Sequence, residues 1–300
     1  RYRVTLIPRV KVRGNPNDVG ILIPTPSVPE FQTVASNVFD EASLLTQPLW
    51  RQRSRSSFNS GCGFPTGDLD GAFDVSGEDD VTVVSRQTVG DFDVVVLSAQ
   101  TSAAIIEWLD EAGFAHGVDD DSALDGYVAS GWLFTAMRRL DANPEAEDRV
   151  FVWQTDPVAM SYDADEVVYP MGLTAISASG TDATRVLIYA IADERLTFDG
   201  AETVYANRIS SIELGRIRDD APNFGSLLTE GAFLTRLKRD YAVFEDKPDF
   251  TLDETGSTEF REVRFASLLW FGVGDWYWVA PLAAWMFVGR VVRRRRVSRA

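Results

Sequence analysis

The sequence predicts an α+β protein: mixed and antiparallel sheets with several packed helices in an extracytoplasmic domain, followed by one C-terminal transmembrane helix. Three observations carry this prediction. Strand-like segments come in runs, separated by helical patterns, an order that suits α+β layers better than a regular βαβ repeat. A glycine-centred pair of alternating segments near Gly90 reads as a hairpin, which demands antiparallel pairing. The last 35 residues are apolar and tryptophan-rich and end on an arginine run.

Tyr2–Val12 alternates, with Val4, Leu6, Val10 and Val12 on one parity, and predicts the first strand. Asn15-Pro16-Asn17-Asp18 has turn chemistry, and Val19–Ile23 returns as a second strand. Pro24, Pro26 and Pro29 punctuate an extended exit. Phe31–Leu45 has helical spacing through Val34, Val38, Phe39, Ala42 and Leu45. Residues 50–80, rich in Ser, Gly, Arg and Asp, predict a long loop. Val81–Val89 and Asp91–Ser98 form the hairpin.

Thr101 or Ser102 caps a helix that runs through Leu109 and ends at Gly113. Asp121 or Ser122 caps the next, which carries Leu124, Tyr127 and Val128, then Leu133, Phe134 and Met137. Strands are predicted at Arg149–Gln154, Val158–Tyr162, Val167–Ile176 and Arg185–Ala192. Ser226–Val243 reads as an amphipathic helix through Leu227, Leu228, Phe233, Leu234, Leu237 and Tyr241. A final strand near Phe260–Phe265 leads to the membrane segment. The expected organisation is an extracytoplasmic domain over 1–265, with a division near 145 as one option. An interfacial loop and transmembrane helix follow over 266–292, and a cytoplasmic basic tail over 293–300.

Charge supports this division. The chain carries 45 Asp and Glu against 29 Lys and Arg, a formal charge of −16. Residues 266–300 hold six arginines and one acid, Asp275, a net of +5, which leaves −21 on residues 1–265. Such an acidic surface repels phosphate and excludes nucleic acid as a partner. One cysteine, Cys62, and one histidine, His116, exclude an internal disulfide and Cys/His zinc sites.

Asp275 separates two ways of placing the membrane helix. A span from Leu268 to Val288 would bury it, at a cost of roughly 2.5–3.5 kcal/mol near the bilayer centre. A helix from Trp276 to Val292 instead uses Asp275 as its cap and covers about 25 Å at 1.5 Å per residue. Trp276, Tyr277 and Trp278 then lie in the near interface, with Trp285 further along the helix and Arg290 reaching the far head groups. Arg293, Arg294, Arg295 and Arg296 hold the C-terminus in the cytoplasm. The expected location is the bacterial inner membrane, single-pass, with the large N-terminal domain outside the cytoplasm. Export requires a signal, and the expectation is that one has been removed ahead of Arg1.

Four stretches resemble the bacterial domain of unknown function 2330 family. The first is Val19-Gly20-Ile21-Leu22-Ile23-Pro24-Thr25-Pro26-Ser27-Val28-Pro29-Glu30. The second is Val89-Gly90-Asp91-Phe92-Asp93-Val94-Val95-Val96-Leu97, followed by Trp108-Leu109. Tyr127-Val128 with Trp132 and Phe134 is the third, and Val168-Tyr169-Pro170-Met171-Gly172-Leu173-Thr174-Ala175 the fourth. The resemblance implies an exported, membrane-anchored protein and brings no catalytic residues with it. The cysteines usual near the family's N-terminus are absent, so a disulfide or lipid role does not transfer.

No catalytic set, cofactor site or metal site is expected. His116 follows a helix end, where a histidine is electrostatically favoured. Asp119, Asp120, Asp121 and Asp125 form the densest acidic cluster and are the weak cation candidates, without the spacing of a calcium loop. Glu78-Asp79-Asp80 and Asp163-Ala164-Asp165-Glu166 read as solvated turns.

The expected function is that of a non-enzymatic structural or partner-binding protein, an accessory subunit of a larger membrane complex. Its expected partners are other membrane-protein subunits, the lipid bilayer and basic soluble proteins. In a photosynthetic or respiratory assembly a −21 surface would attract basic electron carriers. The alternatives are an anchored cell-envelope hydrolase working through two carboxylates and a receptor for a ligand or cation.

Overall fold

The structure, a computed structural model, describes residues 1–14, 20–52, 81–114, 120–140, 151–173, 184–242 and 245–266. The chain forms two compact units. One comprises Arg1–Pro48 with Cys62–Glu262, the other Leu49–Gly61 with Val263–Ala300. The architecture is α+β and strand-rich, with antiparallel sheets and short helices.

The larger unit contains a four-stranded antiparallel sheet ordered β3 (Gly20–Thr25), β8 (Leu133–Arg139), β7 (Phe92–Ala99) and β6 (Val81–Val89). β7 is apolar almost throughout because both of its faces are covered. Val95 and Leu97 pack under α2 (Ser102–Glu111) and α3 (Asp120–Ala129), with Ile105, Leu109, Leu124 and Phe134. Phe92 and Val94 pack the other way, with Val158, Met160 and Tyr162. Those last three belong to β10 (Val158–Ala164), the centre of a sheet ordered β1 (Tyr2–Leu6), β10, β4 (Glu30–Thr33). Full burial of a side chain such as Leu97 or Phe134 is worth about 1.5–3 kcal/mol.

A second four-stranded antiparallel sheet runs β12 (Thr184–Ala192), β15 (Phe233–Tyr241), β14 (Glu202–Arg208), β18 (Phe260–Arg261). One face carries Tyr189, Ile191, Tyr205 and Leu234. It is covered by α1 (Val38–Leu45), α4 (Ser211–Asp220) and α5 (Pro222–Gly225). Two-stranded pairs complete this unit: β2 (Lys11–Gly14) with β9 (Phe151–Gln154), β11 (Val168–Tyr169) with β16 (Phe250–Thr251), and β13 (Leu196–Thr197) with β17 (Asp253–Glu254). The β1–β10, β10–β4 and β2–β9 ladders all join residues on either side of position 145. In the smaller unit, β5 (Leu49–Gln52) and β19 (Val263–Ala266) form a parallel pair.

The hairpin at Gly90 forms as the sequence predicts, with a glycine φ of 56° at the turn. Four other expectations are corrected. The helix expected to run on to Met137 stops at Ala129, because Gly131 at φ 68° closes it. There Gly131 N–H donates to Val128 O and Trp132 N–H to Tyr127 O, the paired bonds of a left-handed glycine stop. Trp132 then packs on Tyr127, ring centroids 5.4 Å apart, and Leu133, Phe134 and Met137 enter β8.

The helix expected over Ser226–Val243 is instead a turn at Gly231, φ 81°, followed by β15. Its apolar residues also satisfy a two-residue period, Phe233-Thr235-Leu237, and pairing with both β12 and β14 decides the matter. The strand expected over Tyr2–Val12 is broken around Pro8 into β1 and β2, which pair with β10 and β9 rather than with each other. The segment expected to be helical from Phe31 begins as strand β4, and the helix starts only at Val38. Of the strand expected over Val167–Ile176, Val168–Tyr169 is paired, and the end of that range lies outside the described residues.

Among the described residues no helix is long and apolar enough to cross a membrane. The transmembrane segment expected at 276–292 lies outside them.

Candidate functional site

Helices α1 and α4 stand apart over β14 and β18 and leave an open cleft of about 500 Å³. Glu41, Leu44 and Leu45 line it from α1, an i, i+3, i+4 face. Glu213, Arg216, Ile217 and Asp220 line it from α4, one turn after another. Tyr205 and Asn207 form part of the floor, with Arg261 beside them. Leu44 is 67% exposed at this cleft although it is a large apolar side chain.

Most of the charged groups around the cleft have structural partners. Glu41 reaches across to the start of α5, where its Oε2 accepts Phe224 N–H at 2.8 Å and its Oε1 accepts Asn223 Nδ2 at 2.8 Å. Glu213 and Ser210 form a reciprocal capping box: Ser210 N–H donates to Glu213 Oε2 at 3.1 Å, and Glu213 N–H to Ser210 Oγ at 3.3 Å. The Ser210 hydroxyl and backbone hold the Glu213 carboxyl below its ordinary range.

The C-terminal end of α1 has no basic residue of its own. Arg261 supplies the charge from β18, donating through Nη2 to Leu45 O at 3.3 Å and Gln47 O at 3.2 Å. Its guanidinium lies 5.6 Å from the Tyr205 ring centroid. A cation at this pole complements the helix dipole. Burial pushes the Tyr205 phenol up, while the Asn207 hydrogen bond and the Arg261 charge oppose the shift.

A second constellation joins two of the stretches that carry the family resemblance. Tyr127 Oη donates to the Asp249 carboxylate, 2.7 Å from Oδ1 and 2.6 Å from Oδ2, and Gly172 N–H donates to Oδ1 at 2.8 Å. Asp249 is set by β16, where Phe250 stacks on Tyr169 at 5.2 Å and on Phe198 at 3.9 Å. Burial first, then the Asp249 hydrogen bond and charge, push the Tyr127 phenol far above its ordinary range. A phenol held protonated in this way fastens elements together and is poorly suited to act as a base or nucleophile.

Of the predicted cation candidates, Asp119 lies outside the described residues, as do His116 and Cys62. Asp120 and Asp121 open α3, so the helix begins one residue before the predicted Asp121 cap. Asp125 is exposed and accepts a hydrogen bond from Ser102 Oγ at 2.5 Å, tying α3 to α2. Among the described residues no group of three or more His, Cys, Asp or Glu is arranged to hold a metal. The anchor residues Trp276, Tyr277, Trp278, Trp285, Arg290, Arg293, Arg294, Arg295 and Arg296 lie outside the described residues.

Sequence reasoning missed Glu41, Asp249 and Arg261, whose partners are remote in the chain and leave no local signature. Ser210-Ser211-Ile212-Glu213 is different. Its serine and glutamate stand at the spacing of a capping box, a legible start signal for α4.

No curated protein and no solved structure matches the chain. The model of an uncharacterized protein family conserved in bacteria, domain of unknown function 2330, matches residues 2–253. That match takes in both four-stranded sheets up to β15, the α1 and α4 walls of the cleft and the Tyr127–Asp249 clamp, and the chain belongs to this bacterial family.

Proposed function

We propose that this protein is a membrane-anchored extracytoplasmic partner-binding protein, an accessory subunit of a larger membrane assembly. The observation that carries the reading is the α1/α4 cleft, open to solvent, whose lining mixes apolar and aromatic side chains with charged ones and includes an exposed Leu44. Sites that hold another protein are commonly grooves in which apolar anchors are buried within a polar rim. Glu41 and Glu213, which a carboxylate hydrolase would need free, are both bonded to backbone amides, so the cleft favours binding over acid–base chemistry.

The anchor part of the reading rests on the sequence from 266 to 300, with its tryptophans and terminal arginines. The charge of −21 over residues 1–265 suits a surface that attracts basic proteins. Membranes are extracted in mild detergent and the protein is examined by native mass spectrometry. The expected result is a complex with stoichiometric additional chains, whereas monomer alone would overturn the subunit reading. Alkaline carbonate should leave the protein in the membrane pellet, and release into the soluble fraction would overturn the anchor.

A further inference from the structure

The two structural units divide the charge of the chain more sharply than a single cut at residue 265. The smaller unit takes Leu49–Gly61 and Val263–Ala300. These two stretches hold ten arginines and one acid, Asp275, a net of +9, which leaves −25 on the larger unit. Arg51, Arg53 and Arg55, with no acid among them, thus join the same unit as a basic segment that begins more than 200 residues further along.

The strands that join the two stretches are β5 and β19. Their register sets Leu49 beside Val263, Trp50 beside Arg264 and Arg51 beside Phe265. Parallel strands are ordinarily buried on both faces within larger sheets, and even a two-stranded hairpin is marginal in water. Here, among the described residues, no third strand extends the pair. Leu49 and Val263 are direct partners on one face and stay 40% and 37% exposed. Arg264, the next residue, is exposed as well. β19 ends two residues before Leu268-Leu269-Trp270-Phe271, at most about 7 Å of extended chain. The open apolar face therefore stands at the start of the segment on which the anchor reading rests.

We infer that the β5–β19 pair is a membrane-contact element. Leu49 and Val263 rest in the head-group layer of an anionic phospholipid bilayer, and the charge of Arg51 and Arg264 is drawn to its phosphates. The inference rests on the anchor part of the proposed function and adds a second contact, remote in sequence from the anchor. Two observations select lipid as the occupant. The chain between Ala266 and Leu268 is too short to carry the pair away from a bilayer that holds the apolar segment. The charge of the smaller unit complements phosphate, whereas the −25 of the larger unit is repelled by it. Basic side chains feel an anionic surface within about a Debye length, roughly 8 Å at physiological ionic strength, which matches that short reach.

The test uses the full chain with Cys62→Ser as background, reconstituted into vesicles of phosphatidylcholine and phosphatidylglycerol. A spin label is placed at Leu49→Cys, at Val263→Cys or, as reference, at Ile212→Cys on α4, where the side chain is 70% exposed. Collision with dissolved oxygen and with a water-soluble nickel chelate reads the depth of each label. The labels at 49 and 263 should favour oxygen, and the label at 212 the chelate. In vesicles of phosphatidylcholine alone the preference at 49 and 263 should decline. Arg51→Gln and Arg264→Gln should each lower the ratio of lipid-contacting to free label about fivefold in the anionic vesicles. Unchanged amide exchange over residues 92–99 verifies that each variant is folded.

Labels at 49 and 263 as open to the chelate as the one at 212 would overturn the inference. Equal depth in both kinds of vesicle, or indifference to both arginine substitutions, would do the same. Shielding from oxygen and chelate alike marks a protein cover and overturns lipid as the occupant. The two readings fail separately. Labels open to the chelate on a chain that resists carbonate extraction overturn the contact and keep the anchor. Labels held in lipid on a chain that carbonate releases keep the contact and lose the anchor.

Discussion

Glu41 and Phe224 are joined by a hydrogen bond across 183 residues of chain, the Phe224 amide lying 2.8 Å from Glu41 Oε2. The same carboxylate accepts the Asn223 side chain, so one residue of α1 organises the start of α5. The contact holds α1 against α5 within the core that includes Val38, Ala42, Phe224 and Leu228.

Glu41→Ala should therefore destabilise the fold by about 1.5–3 kcal/mol, since a charge-assisted bond is lost and a part-buried amide is left without its acceptor. Urea unfolding is the measurement, with the midpoint lowered and the slope unchanged. Glu41→Gln, which keeps an acceptor, should lose less.

Ser210→Ala should cost about 1 kcal/mol through loss of the α4 cap. It should also flatten the acid limb of the stability profile. The folded carboxyl of Glu213 lies below its ordinary value of 4.5, so its contribution is fully present above that pH and is lost as pH falls through the lower folded value. Melts at pH 7 and at successive steps below 4.5 should show wild type and variant converging in acid.

Tyr127→Phe keeps the ring contacts with Trp132 and Phe134 and removes the hydroxyl that binds Asp249. The expected loss is about 1–2 kcal/mol. Asp249→Asn should lose part of the same energy, and the double variant should fall well short of the sum. In wild type, ultraviolet titration should show Tyr127 remaining protonated above the ordinary phenol range for as long as the fold persists.

Two glycines of the α3 region should respond in opposite directions to alanine. Gly131, at φ 68°, should lose about 1–2 kcal/mol, because an L residue is strained there. Gly126 lies inside the helix with nothing within 4 Å of an added Cβ, and Gly126→Ala should gain about 0.5–1 kcal/mol. Thermal unfolding of the two single variants checks the pair.

The chain's local chemistry was legible where a signal and its consequence are neighbours in sequence. Thr101, whose side chain accepts Ala104 N–H, Gly113 at φ 70° and the turn at Gly90 are of this kind. Gly131 and Gly231 carried the same information as stops, but the apolar spacing beyond each also fitted a continuing helix, and periodicity alone favoured the wrong continuation. The charge division, −21 against +5, is likewise a property of sequence alone.

Only the tertiary structure decided that Phe233–Tyr241 is a strand, because its backbone groups are satisfied on both sides by β12 and β14, elements well separated from it or invisible in its own pattern. The cleft has the same origin. Glu41, Arg261 and Tyr205 are spread over more than 200 positions, and nothing local in any of them announces a shared site. Short-range propensity is written in adjacent residues, whereas a cleft depends on long-range pairing that closes the chain and on partners that set each charge. Composition thus determined the acidity of this protein, and the packing of α1 and α4 over β14 decided which of its carboxylates come together at the cleft.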